Sequence, residues 1–422
     1  MPAGRRSGPR GDADGVRRRT IGASFGQLPL TNVVLVEVGA AVAVVLLAVD
    51  RALWPAAVVV GLLALVGAGS RWHGRWITQW TSIVARYLVR PHQRRVDPTV
   101  PQDDSVDLAR SGTTVLIGPE DARVALLRLL VTDLVVASTT DHEKKPIGLA
   151  WHQGTWTAAV LVDPLPAMIS PVGAHTDVPL SSLAGCLQDR GVVLDGIQVV
   201  WHCYPGSSTL PPDSPALAAY HQVLGPLPAV ARRSTWVAVR LDPRRCPGAV
   251  RERGGGVPGA HRALLGAVSR VRGALDAAGL NSRVLDTDEL LRAALSCAEL
   301  TGAAGRGQQV GLRERWNGVT SGGIGHSSYA ISGWHGSPGG LDALTSVRAL
   351  STTVALALSP GTDDGSVGLR GLVRLSARTP GELSSAEVVL RERAAGSGVT
   401  LTPLNGQQAA AVTATLPVGG TA

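Results

Sequence analysis

Residues 30–70, LTNVVLVEVGAAVAVVLLAVDRALWPAAVVVGLLALVGAGS, decide the fold of this chain. They contain two apolar runs, residues 30–49 and 52–70, which two charged residues separate. The first run carries one charged residue, Glu37, and the second carries none. A helix of about 20 residues, rising about 1.5 Å per residue, spans a hydrocarbon core of about 30 Å. We therefore predict an N-terminal two-helix transmembrane hairpin over residues 28–70.

Glu37 is an ionisable group inside the first predicted span. A charged side chain at the centre of a span costs roughly 2.5–3.5 kcal/mol, and each Val or Leu returns about 0.3–0.6 kcal/mol. The eight valines and three leucines between Val33 and Val49 therefore favour insertion. Two roles remain open for Glu37: it stays hydrated near the cytoplasmic interface, or it hydrogen-bonds to a helix of a neighbouring subunit.

Arginines stand outside the two spans, whereas the connector Asp50-Arg51 has one charge of each sign. The flanking arginines are Arg5, Arg6, Arg10, Arg17, Arg18 and Arg19 before the hairpin, and Arg71, Arg75, Arg86, Arg90, Arg94 and Arg95 after it. The positive-inside rule predicts a multi-pass protein of the plasma membrane with both termini cytoplasmic. A signal peptide has a shorter apolar region and a soluble helical hairpin has polar faces, so both are disfavoured. Residues 1–27 are predicted to form a disordered basic cytoplasmic tail.

Residues 71–95 are predicted to form an amphipathic juxtamembrane helix. Trp72, Trp76 and Trp80 recur every four residues, and arginines accompany them. Such a stripe suits the headgroup level of a bilayer, and packing on the soluble domain or on a partner helix is a compatible alternative. The predicted partner or membrane contacts are Glu37, Trp72, Arg75, Trp76, Trp80, Arg86 and Tyr87.

The net charge of +8 is segregated along the chain. Residues 1–95 hold 13 arginines and four acidic residues, which leaves 27 basic and 28 acidic residues for the rest. The surplus therefore lies where anionic lipid headgroups would be, and nucleic-acid binding is disfavoured. Cys186, Cys203, Cys246 and Cys297 show no metal-ligand spacing, which indicates free thiols in a reducing compartment.

After a linker at residues 96–112, residues 113–422 are predicted to form a cytoplasmic α/β domain with a mixed sheet. Alternating runs on both sides of Gln153-Gly154 indicate a hairpin. Residues 180–189 are predicted to be helical. The run Trp236–Leu241 is typical of a strand, and Ala260–Ala278 of a helix that Gly279 ends.

Two stretches of this domain match each other at a shift of 119 residues. Gly279, Leu285 and Asp286 correspond to Gly398, Leu404 and Asn405, and both copies end in a capping pattern, Asp286-x-x-Glu289 and Asn405-x-x-Gln408. We predict an internal duplication of a strand–helix–strand–helix unit.

Three short motifs invite a catalytic interpretation, and a structural one is preferred for each. Asp286-Thr287-Asp288 resembles an acid-x-acid metal motif, but the capping box explains it better. His326-Ser327-Ser328 lacks a Gly-x-Ser-x-Gly elbow, and His202-Cys203 on a strand would point to opposite faces. Neither Lys144 nor Lys145 lies in a phosphate-binding loop. We therefore predict no catalytic, metal or cofactor residue, no small-molecule substrate and no enzyme activity.

The order and spacing of several segments resemble the EccE family, a membrane component of the type VII (ESX) secretion machinery of actinobacteria. The segments are the short-connector hairpin, RWHGRW at 71–76 with RYL at 86–88, the strand at 235–241, HSSYAISGW at 326–334, and PLNGQQ at 403–408 with LP at 416–417. The resemblance implies a non-enzymatic structural subunit that supports assembly or stability of the exporter, with EccB, the EccC ATPase and EccD as partners. The alternative is a membrane-tethered enzyme, such as a transferase acting on a lipid-linked substrate.

Overall fold

A computed structural model describes residues 24–25, 28–72, 75–97, 115–117, 121–163, 178–204, 222, 232–304, 309–335, 340–361 and 366–419. The helices of these residues are α1 (Leu30–Val49), α2 (Trp54–Gly69), α3 (Ile77–Val89), α4 (Ala122–Leu127), α5 (Leu180–Ala184), α6 (Pro247–Glu252), α7 (Gly256–Ala277), α8 (Thr287–Cys297), α9 (Thr301–Ala304), α10 (Gly340–Thr345), α11 (Pro380–Gly396) and α12 (Gln408–Ala414). The strands are β1 (Ser24–Phe25), β2 (Leu28–Pro29), β3 (Arg71–Trp72), β4 (Arg75–Trp76), β5 (Gln93–Val96), β6 (Val115–Ile117), β7 (Val135–Thr140), β8 (Pro146–His152), β9 (Thr155–Val162), β10 (Gln188–Asp189), β11 (Val192–Val193), β12 (Gly196–Tyr204), β13 (Arg232–Leu241), β14 (Ser282–Val284), β15 (Val310–Arg315), β16 (Gly318–Ser321), β17 (Ile324–Trp334), β18 (Ser351–Pro360), β19 (Val367–Ala377) and β20 (Val399–Pro403).

Two apolar helices, α1 and α2, begin the described chain, and a 3₁₀ turn at Arg51–Leu53 joins them. The Asp50 carboxylate caps that turn by accepting a hydrogen bond from the Ala52 amide at 2.8 Å. The helices touch where Gly39 faces Ala64, since a Cβ at position 39 would lie 2.3 Å from the Ala64 Cβ. Both helices are long and apolar enough to cross a membrane.

The segment after α2 differs from the single helix predicted for residues 71–95. Here β3 and β4 form a small antiparallel ribbon, and α3 begins only at Ile77 and ends at Val89. The strand β5 then pairs with β15, which lies more than 200 residues later in the sequence. The sheet domain therefore begins at Gln93, within the predicted helix and before the predicted linker. Of the predicted disordered tail, only Ser24–Phe25 is described, and it pairs with β2; most of the linker at 96–112 also lies outside the described residues.

The large sheet runs in the order β5-β15-β16-β17-β19-β18-β12-β13-β9-β8-β7-β6, with β14 beside β9 and β20 beside β17. Every described pair in it is antiparallel, so the predicted mixed sheet is wrong. The reason is the position of the helical crossovers. The strands on either side of α7, β13 and β14, both pair with β9, and those on either side of α11, β19 and β20, both pair with β17. An antiparallel strand thus separates each parallel couple, as in a split βαβ unit.

The sheet has a hydrophobic core on each face. Val199 and Val200, which are neighbours on β12, point to different cores because successive side chains of a strand alternate. One core includes α7 and α11, and the other includes α4, α8 and α12. Arg94, at one end of the strand order, donates to the Leu129 carbonyl at 3.3 Å. Leu129 lies between α4 and β7, and β7 is near the other end of the strand order.

Several local predictions hold at the level of single residues. The β8–β9 hairpin turns at Gln153 and Gly154 with φ angles of +49° and +79°, as an Asn-Gly-like tight turn requires. Gly279 ends α7 with a φ of +77°. The predicted helix at residues 180–189 is too long, because α5 ends at Ala184 and β10 follows.

Candidate functional site

The membrane-proximal junction, meaning the contacts that α3 makes with α1, α2 and the sheet domain, is the candidate functional site. At one end of α3, Thr78 donates a hydrogen bond to the Asn32 side-chain oxygen. The Asn32 amide in turn donates to the Ala68 carbonyl of α2 at 2.7 Å. Asn32 is buried, and both its side-chain oxygen and its side-chain NH₂ group have a hydrogen-bond partner within the protein. One polar residue therefore joins all three helices.

An aromatic contact attaches α3 to the sheet domain. Trp316 lies in the two-residue turn between β15 and β16, with its ring centroid 6.1 Å from that of Trp80 and 5.2 Å from that of Tyr87. Tyr87 also contacts His92 edge-on at 4.1 Å. Edge-to-face pairs of this kind contribute roughly 0.5–1.5 kcal/mol beyond the area that they bury. Two of the predicted contact residues, Trp80 and Tyr87, thus face the protein's own sheet domain.

Gly406 allows this contact to be close. It has a φ of +71°, and a Cβ there would lie 2.6 Å from the Trp316 ring and 2.9 Å from Ile83 of α3. Its amide donates to the Trp316 carbonyl at 2.7 Å. A side chain at position 406 would therefore separate α3 from the turn that holds Trp316.

An ion pair joins the C-terminal end of α3 to the sheet domain. Arg90 Nη2 lies 2.5 Å from Glu314 Oε1 and donates to the Gly406 carbonyl at 3.1 Å. Glu314 Oε1 also accepts from the Ala409 amide at 3.0 Å. The Glu314 side chain is buried whereas Arg90 is about one-third exposed. Loss of Arg90 would leave a desolvated carboxylate with one fewer donor, which is the costly way to break such a pair.

The structure divides the predicted contact residues into separate groups. Trp80 and Tyr87 face Trp316, whereas Arg86 is exposed and Trp76 is half-buried just before α3. Trp72 and Arg75 are partners in the β3–β4 ribbon. Glu37 is exposed on α1. It lies about 200° around the helix from Gly39, on the side away from α2.

Sequence reasoning missed Trp316 and Glu314. The turn itself had a signal, because Trp316-Asn317-Gly318 places Asn-Gly after the alternating strand β15. The contact with α3 had none, because it joins residues more than 200 positions apart.

A second polar cluster lies on the face of the sheet that packs against α4, α8 and α12. His202 Nδ1 lies 2.8 Å from Thr353 Oγ1, to which Arg374 Nη2 donates at 3.0 Å. His202 Nε2 is 3.6 Å from Glu299. Burial lowers the pKa of His202 to about 3 and raises the pKa of Glu299. His202 is therefore neutral, and Cys203 is on the opposite face of β12, as the sequence predicts.

His326 is also a structural residue. It lies fully buried in β17, with Nε2 2.9 Å from Ser321 Oγ and Nδ1 3.0 Å from Ser376 Oγ. Burial holds its pKa well below the ordinary value. The structural interpretation of His326-Ser327-Ser328 is thus supported, and the three residues lie in a strand.

The capping interpretation of Asp286 is confirmed, and the matching one at Asn405 is wrong. Asp286 accepts from the Glu289 amide at 2.8 Å in a complete capping box. Gln408 instead directs its side chain to Ser328, accepting from the amide at 2.9 Å and donating to the carbonyl at 3.3 Å. The Gln408 side chain thus bonds to the backbone of β17 and does not form a capping box with Asn405.

Comparison with known proteins supports the resemblance seen in the sequence. Residues 229–331 match the family model described as "Putative type VII ESX secretion system translocon, EccE". ESX-1 secretion system protein EccE1 of Mycobacterium tuberculosis, strains CDC 1551 / Oshkosh and H37Rv, is 26% identical over 325 residues, covering 73% of this chain and 56% of the relative. EccE1 of Mycolicibacterium smegmatis is 30% identical over 146 residues, 34% of this chain and 27% of the relative. The chain thus spans about half the length of the relatives it matches, and its similarity to the EccE family is confirmed.

Proposed function

We propose that this chain is a non-enzymatic structural subunit of a type VII (ESX) protein-export membrane complex, where it supports assembly or stability of the exporter. The observation that carries the proposal is the junction. Asn32, Trp316 and the Arg90–Glu314 pair attach two outwardly apolar helices to a sheet domain whose residues 229–331 match the EccE model. Two apolar helices firmly attached to a folded domain suit a subunit that positions this domain next to a membrane assembly.

The chemistry of the buried polar groups also supports a structural role. His202 and His326, the side chains that most resemble catalytic groups, are buried and hydrogen-bonded to hydroxyl groups of neighbouring strands. Their lowered pKa values keep them neutral. Groups enclosed in this way stabilise the sheet and are out of reach of a substrate.

The proposed topology is a plasma-membrane hairpin of α1 and α2 with both termini cytoplasmic. The exposed valines and leucines of both helices and the arginines that flank them support this arrangement. By resemblance the partners are EccB, the EccC ATPase and EccD, and the flanking arginines meet anionic lipid headgroups. Glu37 and the exposed Arg86 are the proposed contacts with neighbouring subunits or lipid.

The proposal includes an internal duplication of the sheet domain. The unit β13–α7–β14–α8 brackets β9 in the same way as β19–α11–β20–α12 brackets β17. Both second helices belong to the core on the same face of the sheet. This correspondence of order and pairing supports the match of residues 279–286 with residues 398–405.

Purification of the tagged full-length chain from native membranes in mild detergent tests the function. We expect co-elution with an ATPase and a many-span membrane subunit. A chain that elutes alone and shows metal-dependent transferase turnover on a lipid-linked substrate would replace the structural role with the enzymatic alternative. A chain that remains in the supernatant after detergent-free ultracentrifugation would refute both.

A further inference from the structure

The helix α3 has two apolar sides, and only one of them is covered. Ile83 is buried, and Trp80 and Tyr87 contact Trp316 on that same side. On the other side Leu88 is 72% exposed and Val89 is 87% exposed. We call the exposed row, Val84, Ala85, Leu88 and Val89, the outer face of α3.

We propose that the outer face of α3 lies in the boundary between headgroups and acyl chains of the leaflet at which α1 begins and α2 ends. This proposal rests on the proposed membrane function and adds which side of α3 meets lipid. The sequence left two compatible positions for the tryptophan stripe, the headgroup level of the bilayer and a contact with the soluble domain, and Trp80 takes the second. Trp80 and Tyr87 contact the sheet domain, and the aliphatic side chains of the outer face contact lipid.

The first turn of α3 is at the level of the membrane surface. Thr78 is bonded to Asn32 near the start of α1, and the Ile77 amide donates to the Ser70 carbonyl just after α2, at 3.2 Å. If α1 and α2 cross the bilayer, these contacts place the start of α3 where both helices leave it. The outer face therefore starts beside the ends of the two proposed spans.

The charge of α3 favours lipid as the occupant of this face. Its sequence, ITQWTSIVARYLV, contains no acidic residue, and Arg86 is exposed beside the outer face. Arg90, which follows directly, is paired with Glu314, so Arg86 is the basic residue available to a headgroup. Aliphatic side chains beside an exposed arginine fit an interface in which acyl chains contact the aliphatic groups and an anionic headgroup contacts the arginine.

Site-directed spin labelling of the full-length chain tests the proposal. The four native cysteines are buried, so single replacements Val84→Cys and Leu88→Cys can be labelled selectively, with the wild type as the background measurement. The labelled chains are reconstituted into vesicles of phosphatidylcholine and phosphatidylglycerol in equal parts. Collision rates with oxygen, which partitions into lipid, and with a water-soluble nickel chelate then report the surroundings of each label.

Two controls separate the outcomes. Val58→Cys lies on α2, where Val58 is 55% exposed, and Val388→Cys lies on α11 of the sheet domain, where Val388 is 52% exposed. We expect a severalfold higher ratio of oxygen to nickel collisions at positions 84 and 88 than at position 388, closer to the ratio at position 58.

Nickel-accessible labels at 84 and 88 with a lipid-exposed label at 58 would overturn the inference and leave the proposed spans intact. Labels at 84 and 88 shielded from both agents would overturn it in favour of a protein contact with a second copy. A nickel-accessible label at 58 would refute the proposed membrane function itself.

Discussion

Arg374 donates a hydrogen bond to the main-chain carbonyl of Cys297, the last residue of α8. Its guanidinium also reaches the Val412 carbonyl in α12 at 3.5 Å. Arg374 is fully buried in the centre of the sheet, yet these acceptors belong to the C-terminal turns of two helices. The carbonyl ends of helices carry partial negative charge, which offsets the buried positive charge. Since α8 and α12 belong to the two halves of the proposed duplication, one side chain joins both.

Replacing Arg374 by Ala is expected to destabilise the sheet domain by more than about 3 kcal/mol, because it leaves a cavity and unsatisfied carbonyl groups. Arg292→Ala on the exposed side of α8 is the matched control and is expected to stay within about 0.5 kcal/mol of the wild type. Thermal unfolding of both variants in detergent measures the difference. Equal midpoints for the two variants would contradict the role assigned to Arg374.

The stability of the protein should fall as the pH is lowered from 6.5 toward 4. Burial lowers the pKa of His202 to about 3 and that of His261 to about 4, from an ordinary value of 6.5. Between these values the unfolded chain binds protons that the folded chain does not, so unfolding becomes easier by up to about 1.4 kcal/mol per pH unit for each histidine.

Comparison of the wild type with His261→Phe measures this effect. The His261 ring lies edge-on to Trp156 at 4.3 Å, a geometry that a phenyl ring can keep. We expect the unfolding midpoint of the variant to fall less steeply between pH 6.5 and 4. Parallel curves would show that His261 does not contribute to the acid sensitivity.

Glu299 should give the opposite pH dependence. Burial is the largest cause of its raised pKa, and Ser351 and Tyr204 donate hydrogen bonds to it. A raised pKa means that the folded state favours the protonated acid, so this contribution to stability is present at low pH and is lost as the pH rises through the folded pKa. Glu299→Gln removes that loss. The difference in thermal unfolding midpoint, variant minus wild type, should therefore increase as the pH is raised from 4.5 to 8. A constant or falling difference would show that Glu299 is stabilised as a carboxylate.

The sequence predicted features whose causes are local. Residues 30–49 form α1 with the predicted bounds, because a continuous apolar run specifies a helix without reference to its neighbours. The Gln153-Gly154 turn and the Asp286 cap are correct for the same reason.

The errors concern contacts between distant residues. The four-residue spacing of tryptophans continues through residues 72–80, but the β3–β4 ribbon interrupts the helix. The predicted helix includes residues 93–95 and the predicted linker begins at residue 96, but pairing with β15 makes residues 93–96 a strand. Whether a sheet is mixed or antiparallel depends on which strands are neighbours. Here β9 lies between β13 and β14, and β17 lies between β19 and β20, so the described pairs are antiparallel. Arg374 gave no signal because its partners come from other elements.

Trp316→Ala should loosen the attachment of the sheet domain to α3. The change removes the ring contacts with Trp80 and Tyr87 while leaving the β15–β16 turn in place. We expect faster proteolytic cleavage between Arg90 and Gln93 in the detergent-solubilised protein, because that short segment connects α3 to the first strand of the sheet domain. Trp316→Phe keeps an aromatic contact and should be cleaved at a rate closer to that of the wild type. Unchanged cleavage in the alanine variant would mean that the other contacts of the junction, including the Arg90–Glu314 pair, hold it without the Trp316 ring.

Glu37→Leu should weaken recovery of the complex without hindering insertion. Glu37 is exposed on the side of α1 that faces away from α2, so this chain's second helix does not cover it. A carboxyl group in lipid is costly, and a hydrogen-bond donor on a neighbouring subunit's helix would remove that cost. Leucine inserts more favourably than glutamate but offers no such bond. The measurement is the yield of partner subunits that co-purify with the tagged chain, together with resistance of the chain to alkaline extraction.

Two further variants make this experiment decisive. Val44 lies two helical turns after Glu37 on the same exposed side, so Val44→Leu tests whether any change on that side disturbs the complex. Glu37→Gln keeps the ability to hydrogen-bond and removes the charge. We expect wild-type recovery for Val44→Leu, near-wild-type recovery for Glu37→Gln and a marked loss for Glu37→Leu, with all three resisting alkaline extraction. Full recovery of Glu37→Leu would assign Glu37 to a hydrated position near the cytoplasmic surface, because only a side chain without a partner can lose its carboxyl group at no cost to assembly.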